Sequence, residues 1–132
     1  MKAPLLTLND GNLRPAVGIG TYQIRGGEGL SQLQAAIADG YRLIDSSTNY
    51  DNEGIVGKAI RRSGIPRSEF YITSKLPGKY HGYDDALTSI QESLARMGLD
   101  YFDAFLIHWP LPKRGNLRPA VGIGTYQIRG GE

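Results

Sequence analysis

Short apolar runs alternate along the chain with segments whose hydrophobic residues recur at helical spacing. Four such runs lie at residues 17–22, 41–45, 70–75 and 104–109, and each has the length of a buried strand. Ahead of them, residues 5–8 and 13–17 flank the dipeptide Asp10-Gly11, which is a strong signal for a β-hairpin. A hairpin followed by alternating strands and helices predicts an α/β fold with a parallel sheet and right-handed crossovers.

Three segments between the strands carry the start and stop signals of helices. Polar residues that cap helices precede each segment, and a glycine follows each one. The predicted starts are Ser31, Asp51 or Asn52, and Asp84 or Asp85, and the predicted ends are Gly40, Gly64 and Gly98. In the third segment, Leu87, Ile90, Leu94 and Met97 form one hydrophobic face. Contact with the sheet explains such faces, so they do not indicate a cofactor site or a partner surface.

Composition and charge narrow the class of protein. The chain has 132 residues, 40% of them hydrophobic, which suits one globular domain with a core. Its 15 basic and 13 acidic residues are scattered, so we do not expect a nucleic-acid-binding surface. Cysteine is absent and only two histidines are present, so we expect neither a disulfide nor a metal site. No apolar segment has the length of a signal-peptide core or a membrane span, and we expect a cytoplasmic protein.

Three ionisable residues fall at or near the carboxyl ends of predicted strands. Asp45, Lys75 and His108 are spaced by 30 and 33 residues, one strand–helix unit each. In a parallel sheet such strand ends converge on one edge, where α/β proteins keep their chemistry. Tyr50 lies on the loop after Asp45 and can join them. Each residue alone has a structural explanation, such as a capping aspartate or a buried histidine, but their coincidence at one edge favours a site.

These residue types suit proton transfer to a carbonyl group. A phenol is a poor proton donor at neutral pH, but a nearby ammonium group stabilises the phenolate that forms. A partly buried ammonium group needs a carboxylate partner, a role that Asp45 can fill beside Lys75. A neutral histidine can donate a hydrogen bond that orients a substrate carbonyl. The set suits reduction by hydride transfer, for which the hydride must come from a nicotinamide.

Two longer motifs give a specific resemblance. Residues 40–47 read Gly-Tyr-Arg-Leu-Ile-Asp-Ser-Ser and are followed by Glu53 and Gly57, which resembles the first signature of the aldo-keto reductases. Residues 97–110, Met-Gly-Leu-Asp-Tyr-Phe-Asp-Ala-Phe-Leu-Ile-His-Trp-Pro, resemble the second. The likeness covers residues 5 to about 114 and is strongest to bacterial members of the 2,5-diketo-D-gluconate reductase type. It implies the amino-terminal half of a (β/α)8 TIM-type barrel whose N-terminal β-hairpin closes the bottom.

The resemblance also implies roles for individual residues. The family's catalytic tetrad falls on Asp45, Tyr50, Lys75 and His108, with Tyr50 as the acid. The family's contacts to the cofactor NADPH near the nicotinamide fall on Gly20, Thr21, Tyr22 and Asp45. By the same resemblance, Tyr22 and Trp109 would line the pocket for a small carbonyl substrate. Without the resemblance, Gly18 and Gly20 are explained more simply as sites of close backbone approach. Their run lacks the G-x-G-x-x-G spacing of a dinucleotide fingerprint.

The chain also departs from the family. A complete barrel has about 250 residues, whereas residues 1–114 supply the hairpin and four of the eight strands. The late Lys-Ser motif that binds the adenosine phosphate, and the tyrosine that stacks on the nicotinamide, have no counterpart. We therefore expect weak NADPH binding by this chain alone. A second class of function stays open: a truncated or engineered half-barrel that acts as a non-catalytic folding or assembly module.

The carboxyl-terminal segment is a copy of an earlier one. Residues 115–132 repeat residues 11–28 without a change, which indicates an engineered chain, a recent duplication or an artefact of the recorded sequence. One copy does not make a solenoid, which needs several stacked repeats. A half-barrel has two open sheet edges, and open edges recruit strands, so self-association is an expectation. We expect the copied strand, residues 121–126, to pair antiparallel, to cross to another chain or to stay disordered.

Overall fold

The computed structural model describes residues 3–110, which form a β-hairpin followed by a parallel sheet and its helices. The strands are β1 (Leu5–Thr7), β2 (Leu13–Pro15), β3 (Gly18–Gly20), β4 (Leu43–Asp45), β5 (Tyr71–Leu76) and β6 (Ala104–Ile107), and the helices are α1 (Gly26–Ala38), α2 (Glu53–Arg62) and α3 (Tyr83–Met97). Short 3-10 helices span Thr48–Tyr50 and Arg67–Glu69. The duplicated segment, residues 115–132, and the pairing expected of it lie outside the described residues.

The parallel sheet has the strand order β3-β4-β5-β6, and every neighbouring pair in it is parallel. Strands β1 and β2 pair antiparallel as a separate hairpin. Each helix connects one parallel strand to the next, so the predicted alternation of strands and helices is confirmed. Within residues 3–110, β3 and β6 are the end strands of the sheet. Consecutive parallel strands joined by helices in this order are the arrangement of part of a TIM-type barrel.

Alternate residues of each strand face opposite sides of the sheet. Ile44, Ile72 and Phe105 face the helices and belong to the main hydrophobic core. The first residues of β4, β5 and β6 face the other, inner side, where they form a smaller cluster against which Leu8 packs. Because Leu8 directly follows β1, the hairpin lies near the amino ends of the parallel strands. The opposite, carboxyl ends carry the candidate site.

Helix α1 begins five residues before its predicted start. Its first residue is Gly26, and Ser31 lies within the helix, where its hydroxyl donates to a backbone carbonyl one turn earlier. The prediction of Ser31 as the cap was wrong because the glycine-rich residues 26–29 have low helix propensity and resemble a loop. Tertiary contact overrides that propensity here. Gly29 is buried so closely against Ile24 that a side chain has no room.

Helices α2 and α3 begin close to their predicted starts. Asn52 is the N-cap residue of α2, although its side chain makes no capping hydrogen bond. Helix α3 begins at Tyr83, one residue before Asp84. Gly98 follows α3 in the left-handed conformation, with φ of 64°, as the glycine signal predicted. Among residues 3–110, no helix has the length and apolar character needed to cross a membrane.

Every strand except β5 is shorter than the apolar run that predicted it, and β5 has the predicted six residues but lies one position later. Strand β6 was expected to reach Trp109 but ends at Ile107, and Trp109 is exposed. Its neighbour β5 ends at Leu76 and is followed by Pro77, which has no N–H to continue the ladder. One further bond, from the N–H of His108 to the carbonyl of Leu76, holds His108 beside the strand end. Strands β3 and β4 keep three residues each.

Candidate active site

The structure brings the four predicted catalytic residues together at the carboxyl ends of the sheet. Asp45 is the last residue of β4, Lys75 is the penultimate residue of β5, and His108 directly follows β6. The first residues of these three strands face the inner side of the sheet. Asp45, Lys75 and His108 lie two or four positions after those residues, so their side chains are on the same inner side. Tyr50 ends the 3-10 helix that follows β4 and completes the group.

Asp45 and Lys75 form an ion pair between neighbouring strands. Nζ of Lys75 lies 2.7 Å from Oδ2 of Asp45 and 2.8 Å from the backbone carbonyl oxygen of Ser46. The lysine side chain is 14% exposed and the aspartate side chain 34%, so water reaches the carboxylate more easily than the ammonium group. An ammonium group has three hydrogens, and these two contacts use two of them.

Four aromatic rings form a row along this edge of the sheet. Tyr50 lies between Tyr22 and His108, with ring centroids 5.2 Å and 5.7 Å away and both contacts edge-to-face. Trp109 stacks on His108 with centroids 5.7 Å apart. Nζ of Lys75 lies 5.2 Å from the centroid of the Tyr50 ring. Since Tyr22 and Trp109 are both exposed, the row has a solvent-facing aromatic ring at each end.

His108 is held through its Nδ1 atom. Oγ of Ser47 lies 2.9 Å from Nδ1, and the side-chain amide nitrogen of Asn49 lies 3.5 Å from it. The pKa of His108 is lowered from its ordinary value of 6.5, first because burial disfavours the charged ring and second because the Lys75 ammonium repels it. The Asp45 carboxylate opposes both effects on this pKa. The imidazole is therefore predominantly neutral near neutral pH.

Asn52 joins the loop after β3 to the end of β4. Its amide nitrogen donates to the backbone carbonyls of Thr21 at 2.6 Å and Ile24 at 3.0 Å, while its Oδ1 accepts from the hydroxyl of Ser46 at 3.0 Å. A buried amide that is satisfied on both ends fixes the segments it contacts. Sequence reasoning gave Asn52 only a capping role, because no local pattern reveals contacts to residues about 30 positions away.

Glu53 is a buried carboxylate that receives three donors. Its Oε1 accepts from the hydroxyls of Ser74, at 2.8 Å, and Ser93, and its Oε2 accepts from Nε of Arg96 at 2.8 Å. Ser74 directly precedes Lys75 in β5, whereas Ser93 and Arg96 lie on α3. Glu53 thereby fixes the start of α2 to both β5 and α3 on the helix side of the sheet. The sequence included Glu53 only as one position of a signature, without a contact.

Two of the residues expected to contact a nicotinamide cofactor, Gly20 and Thr21, lie beside Asp45. Gly20 is opposite Asp45 in the β3–β4 register, and a Cβ placed on it meets no atom within 4 Å. The N–H of Thr21 donates to the carbonyl of Asp45 at 3.0 Å, and the buried Thr21 hydroxyl has no hydrogen-bond partner among residues 3–110. Gly18, in contrast, packs against the Leu43 side chain so closely that a Cβ would overlap it. Close approach thus explains Gly18, while Gly20 borders open space beside Asp45.

The fold and the site together define a class of protein. The chain is part of a β/α barrel with an ionic and aromatic cluster at the carboxyl ends of its strands, where barrel enzymes carry their active sites. In the part of the chain that the structure describes, no group of three or more His, Asp or Glu side chains is arranged to hold a metal ion. The family model described as "Aldo/keto reductase family" matches residues 16–115. The chain therefore belongs to the aldo/keto reductase family.

Curated relatives match the chain over most of its length. The 2,5-diketo-D-gluconic acid reductase B of Corynebacterium sp. (strain SHS752001) is 49% identical over 112 residues, which are 85% of this chain and 40% of that protein. Morphine 6-dehydrogenase of Pseudomonas putida is 47% identical over 109 residues, which are 83% of this chain and 37% of that protein. The chain thus spans about two fifths of the length of these relatives.

Solved structures match the fold. An aldo/keto reductase from Brucella melitensis superposes with a TM-score of 0.80 and 45% identity, covering 84% of this chain and 43% of that chain. A Bombyx mori aldo-keto reductase in complex with NADP superposes with a TM-score of 0.78 and 36% identity, covering 84% of this chain and 39% of that one. The predicted fold, the amino-terminal part of a TIM-type barrel with a hairpin before it, is confirmed.

Proposed function

We propose that this chain is the amino-terminal part of an NADPH-dependent reductase that converts aldehydes or ketones to alcohols. The observation that carries the proposal is the environment of Tyr50, whose ring contacts His108 and lies 5.2 Å from the Lys75 ammonium nitrogen. The names of the curated relatives include a reductase and a dehydrogenase, which are the two directions of one carbonyl–alcohol interconversion. Family membership and local geometry therefore support the same chemistry.

Tyr50 is the proposed proton donor. When the carbonyl carbon accepts a hydride, the carbonyl oxygen gains negative charge and takes a proton from the Tyr50 hydroxyl. The resulting phenolate is stabilised by the positive charge of Lys75. Two of the three ammonium hydrogens are engaged by Asp45 and Ser46, which leaves the third for the phenolate oxygen. Asp45 offsets the cost of holding a charged lysine in a partly buried position.

His108 is the proposed orienting group. Its lowered pKa keeps the ring neutral near neutral pH, so it donates to the substrate oxygen without adding a second cation beside Lys75. A reduced nicotinamide supplies the hydride when it is bound. The proposed cofactor contacts are Gly20, Thr21, Tyr22 and Asp45, where the open space at Gly20 and the Asp45 carboxylate suit a ribose with its hydroxyl donors. The NADP complex of the Bombyx mori relative supports NADPH as the cofactor.

The substrate is proposed to be a small carbonyl compound bound between Tyr22 and Trp109. Both rings are exposed and stand at opposite ends of the aromatic row that contains Tyr50 and His108. Aromatic side chains around a few polar groups are typical of small-molecule sites. The relatives' names refer to 2,5-diketo-D-gluconic acid and to morphine, both of which are small molecules.

The test is a completed barrel in which residues 1–110 are joined to the remaining part of 2,5-diketo-D-gluconic acid reductase B. Aldehyde reduction is followed by the loss of the absorbance of the reduced nicotinamide. Tyr50→Phe keeps the ring but removes the proton, and it should lower kcat about 10²–10⁴-fold. Tyr101→Phe is the matched control, because Tyr101 also lies under a cation, 4.0 Å from Arg67, but before β6. Activity of Tyr50→Phe within a few-fold of the parent would mean that another group donates the proton.

A further inference from the structure

Ser47 contacts the imidazole of His108 but has no role in the chemistry proposed above. Its side chain is fully buried, and its Oγ lies 2.9 Å from Nδ1 of His108. The same Oγ accepts a hydrogen bond from the backbone N–H of Asn49 at 3.2 Å, at the start of the 3-10 helix. Among residues 3–110, these two groups are the only partners of the hydroxyl.

The direction of the Ser47–His108 hydrogen bond follows from the available donors and acceptors. A serine hydroxyl has one hydrogen, and a buried hydrogen without an acceptor is costly. The N–H of Asn49 uses Oγ as its acceptor, and Nδ1 is the acceptor that the described residues offer to the hydroxyl hydrogen. The side-chain amide nitrogen of Asn49 is a second donor close to Nδ1. Nδ1 therefore accepts, and the proton of the neutral ring sits on Nε2.

We propose that Ser47 is a positioning residue that fixes His108 as the neutral tautomer with its proton on Nε2. The inference rests on the proposed function, in which His108 donates a hydrogen bond to a substrate carbonyl. In the opposite tautomer, Nε2 would present a lone pair where that function needs a donor. Ser47 also fixes the ring orientation, because a ring turned by half a rotation would place a carbon atom opposite the hydroxyl.

The charged groups around His108 act on the same equilibrium. Burial and the Lys75 ammonium lower the pKa of His108, and the Asp45 carboxylate raises it. A hydrogen bond donated by Ser47 favours the neutral ring, so it acts in the same direction as burial and Lys75. If Ser47 donates this hydrogen bond, its loss should therefore raise the pKa of His108. If instead the ring donated it to Ser47, its loss would not raise that pKa.

The test is nuclear magnetic resonance of the 132-residue chain labelled with nitrogen-15. Two-bond proton–nitrogen spectra report which ring nitrogen carries the proton and the pH at which the ring titrates. The chain has two histidines, and His81→Gln assigns their signals. We expect the neutral His108 ring to carry its proton on Nε2. In Ser47→Ala we expect the pKa of His108 to rise by about 0.5–1, as loss of one net hydrogen bond predicts.

Ser46→Ala is the matched control for this experiment. Ser46 is as fully buried as Ser47, but its hydroxyl donates to Asn52 and not to His108. A rise of the His108 pKa in Ser47→Ala but not in Ser46→Ala supports the proposal. A proton on Nδ1 in the unsubstituted chain, or an unchanged or lowered pKa of His108 in Ser47→Ala, overturns it, and the first of these outcomes needs no variant to fold. These spectra do not depend on turnover, so their outcome is separate from that of the Tyr50 experiment.

Discussion

Replacing Glu53 by glutamine tests how helix α2 is held against the sheet. The change is nearly isosteric, so it alters charge and hydrogen bonding but hardly alters volume. In the folded chain one carboxylate oxygen accepts from two serine hydroxyls and the other accepts from Arg96. An amide cannot satisfy all three donors, because one of its two ends is itself a donor. In either orientation the amide leaves Arg96 facing N–H groups or leaves the hydroxyls of Ser74 and Ser93 without their acceptor.

The expected loss of stability is about 2 kcal/mol, taken from the hydrogen bonds that are lost. A hydrogen bond to a charged group contributes about 1.5–3 kcal/mol, and a buried group left without a partner costs about 1–3 kcal/mol. The side chain of Arg96 is 43% exposed and can turn to water, so its share is small, although Glu53 itself is only 2% exposed. Ser74 and Ser93 are fully buried, so they cannot find water and account for most of the loss.

Urea unfolding followed by far-ultraviolet circular dichroism measures this loss as a shift of the midpoint at constant slope. Glu92→Gln is the matched control, because Glu92 pairs with the same arginine at 3.8 Å but its side chain is 60% exposed. An exposed helix pair of this kind contributes about 0.3–0.5 kcal/mol. A cost of Glu53→Gln no larger than that of Glu92→Gln would refute the inference that Glu53 anchors α2.

Two further predictions concern helix packing and pH. Gly57→Ala should destabilise the chain by about 1–3 kcal/mol, because the added Cβ would overlap the backbone of Met97. Gly54→Ala is the control and should be neutral or stabilising, because its Cβ would lie 3.8 Å from the nearest atom. Equal urea midpoints for the two variants would contradict the close contact at Gly57. Because the pKa of His108 is lowered from 6.5 in the folded chain, the unfolded chain binds more protons below that pH. The free energy of unfolding should therefore fall as pH decreases below 6.5, and it should fall more steeply in the parent than in His108→Gln. The same dependence on pH in both chains would contradict the lowered pKa of His108.

The order and type of the elements could be predicted because strands and helices impose different periods on the sequence. Val56, Ala59 and Ile60 recur at helical spacing, and all three are buried in α2. The same spacing placed Leu87 on the hydrophobic face of α3, yet Leu87 is exposed. A periodic pattern gives the direction of a face but not how far the opposing surface extends. The start of α1 was missed for a related reason, since local propensity does not include the contact that buries Gly29.

The four residues of the candidate site could be predicted because parallel strands bring their carboxyl ends to one edge. The residues that hold this site in place could not be predicted from the sequence. Ser47 and His108 are 61 positions apart, and Glu53 reaches Ser93 over 40 positions. Such contacts depend on how far each helix is shifted along the sheet, which no short pattern encodes. Polar residues near strand ends indicate that some network exists, but not which side chains form it.

The first signature motif combines two separate tasks, and the structure shows how its spacing joins them. Asp45 ends β4 on the inner side of the sheet and pairs with Lys75. Glu53 begins α2 and, on the helix side, binds Ser74, the residue directly before Lys75. One turn later, Gly57 lets the backbone at Met97 approach α2 so closely that no Cβ fits between them. The later motif residues therefore fix α2 and α3 against the strand that carries Lys75, and substitutions there should displace the lysine.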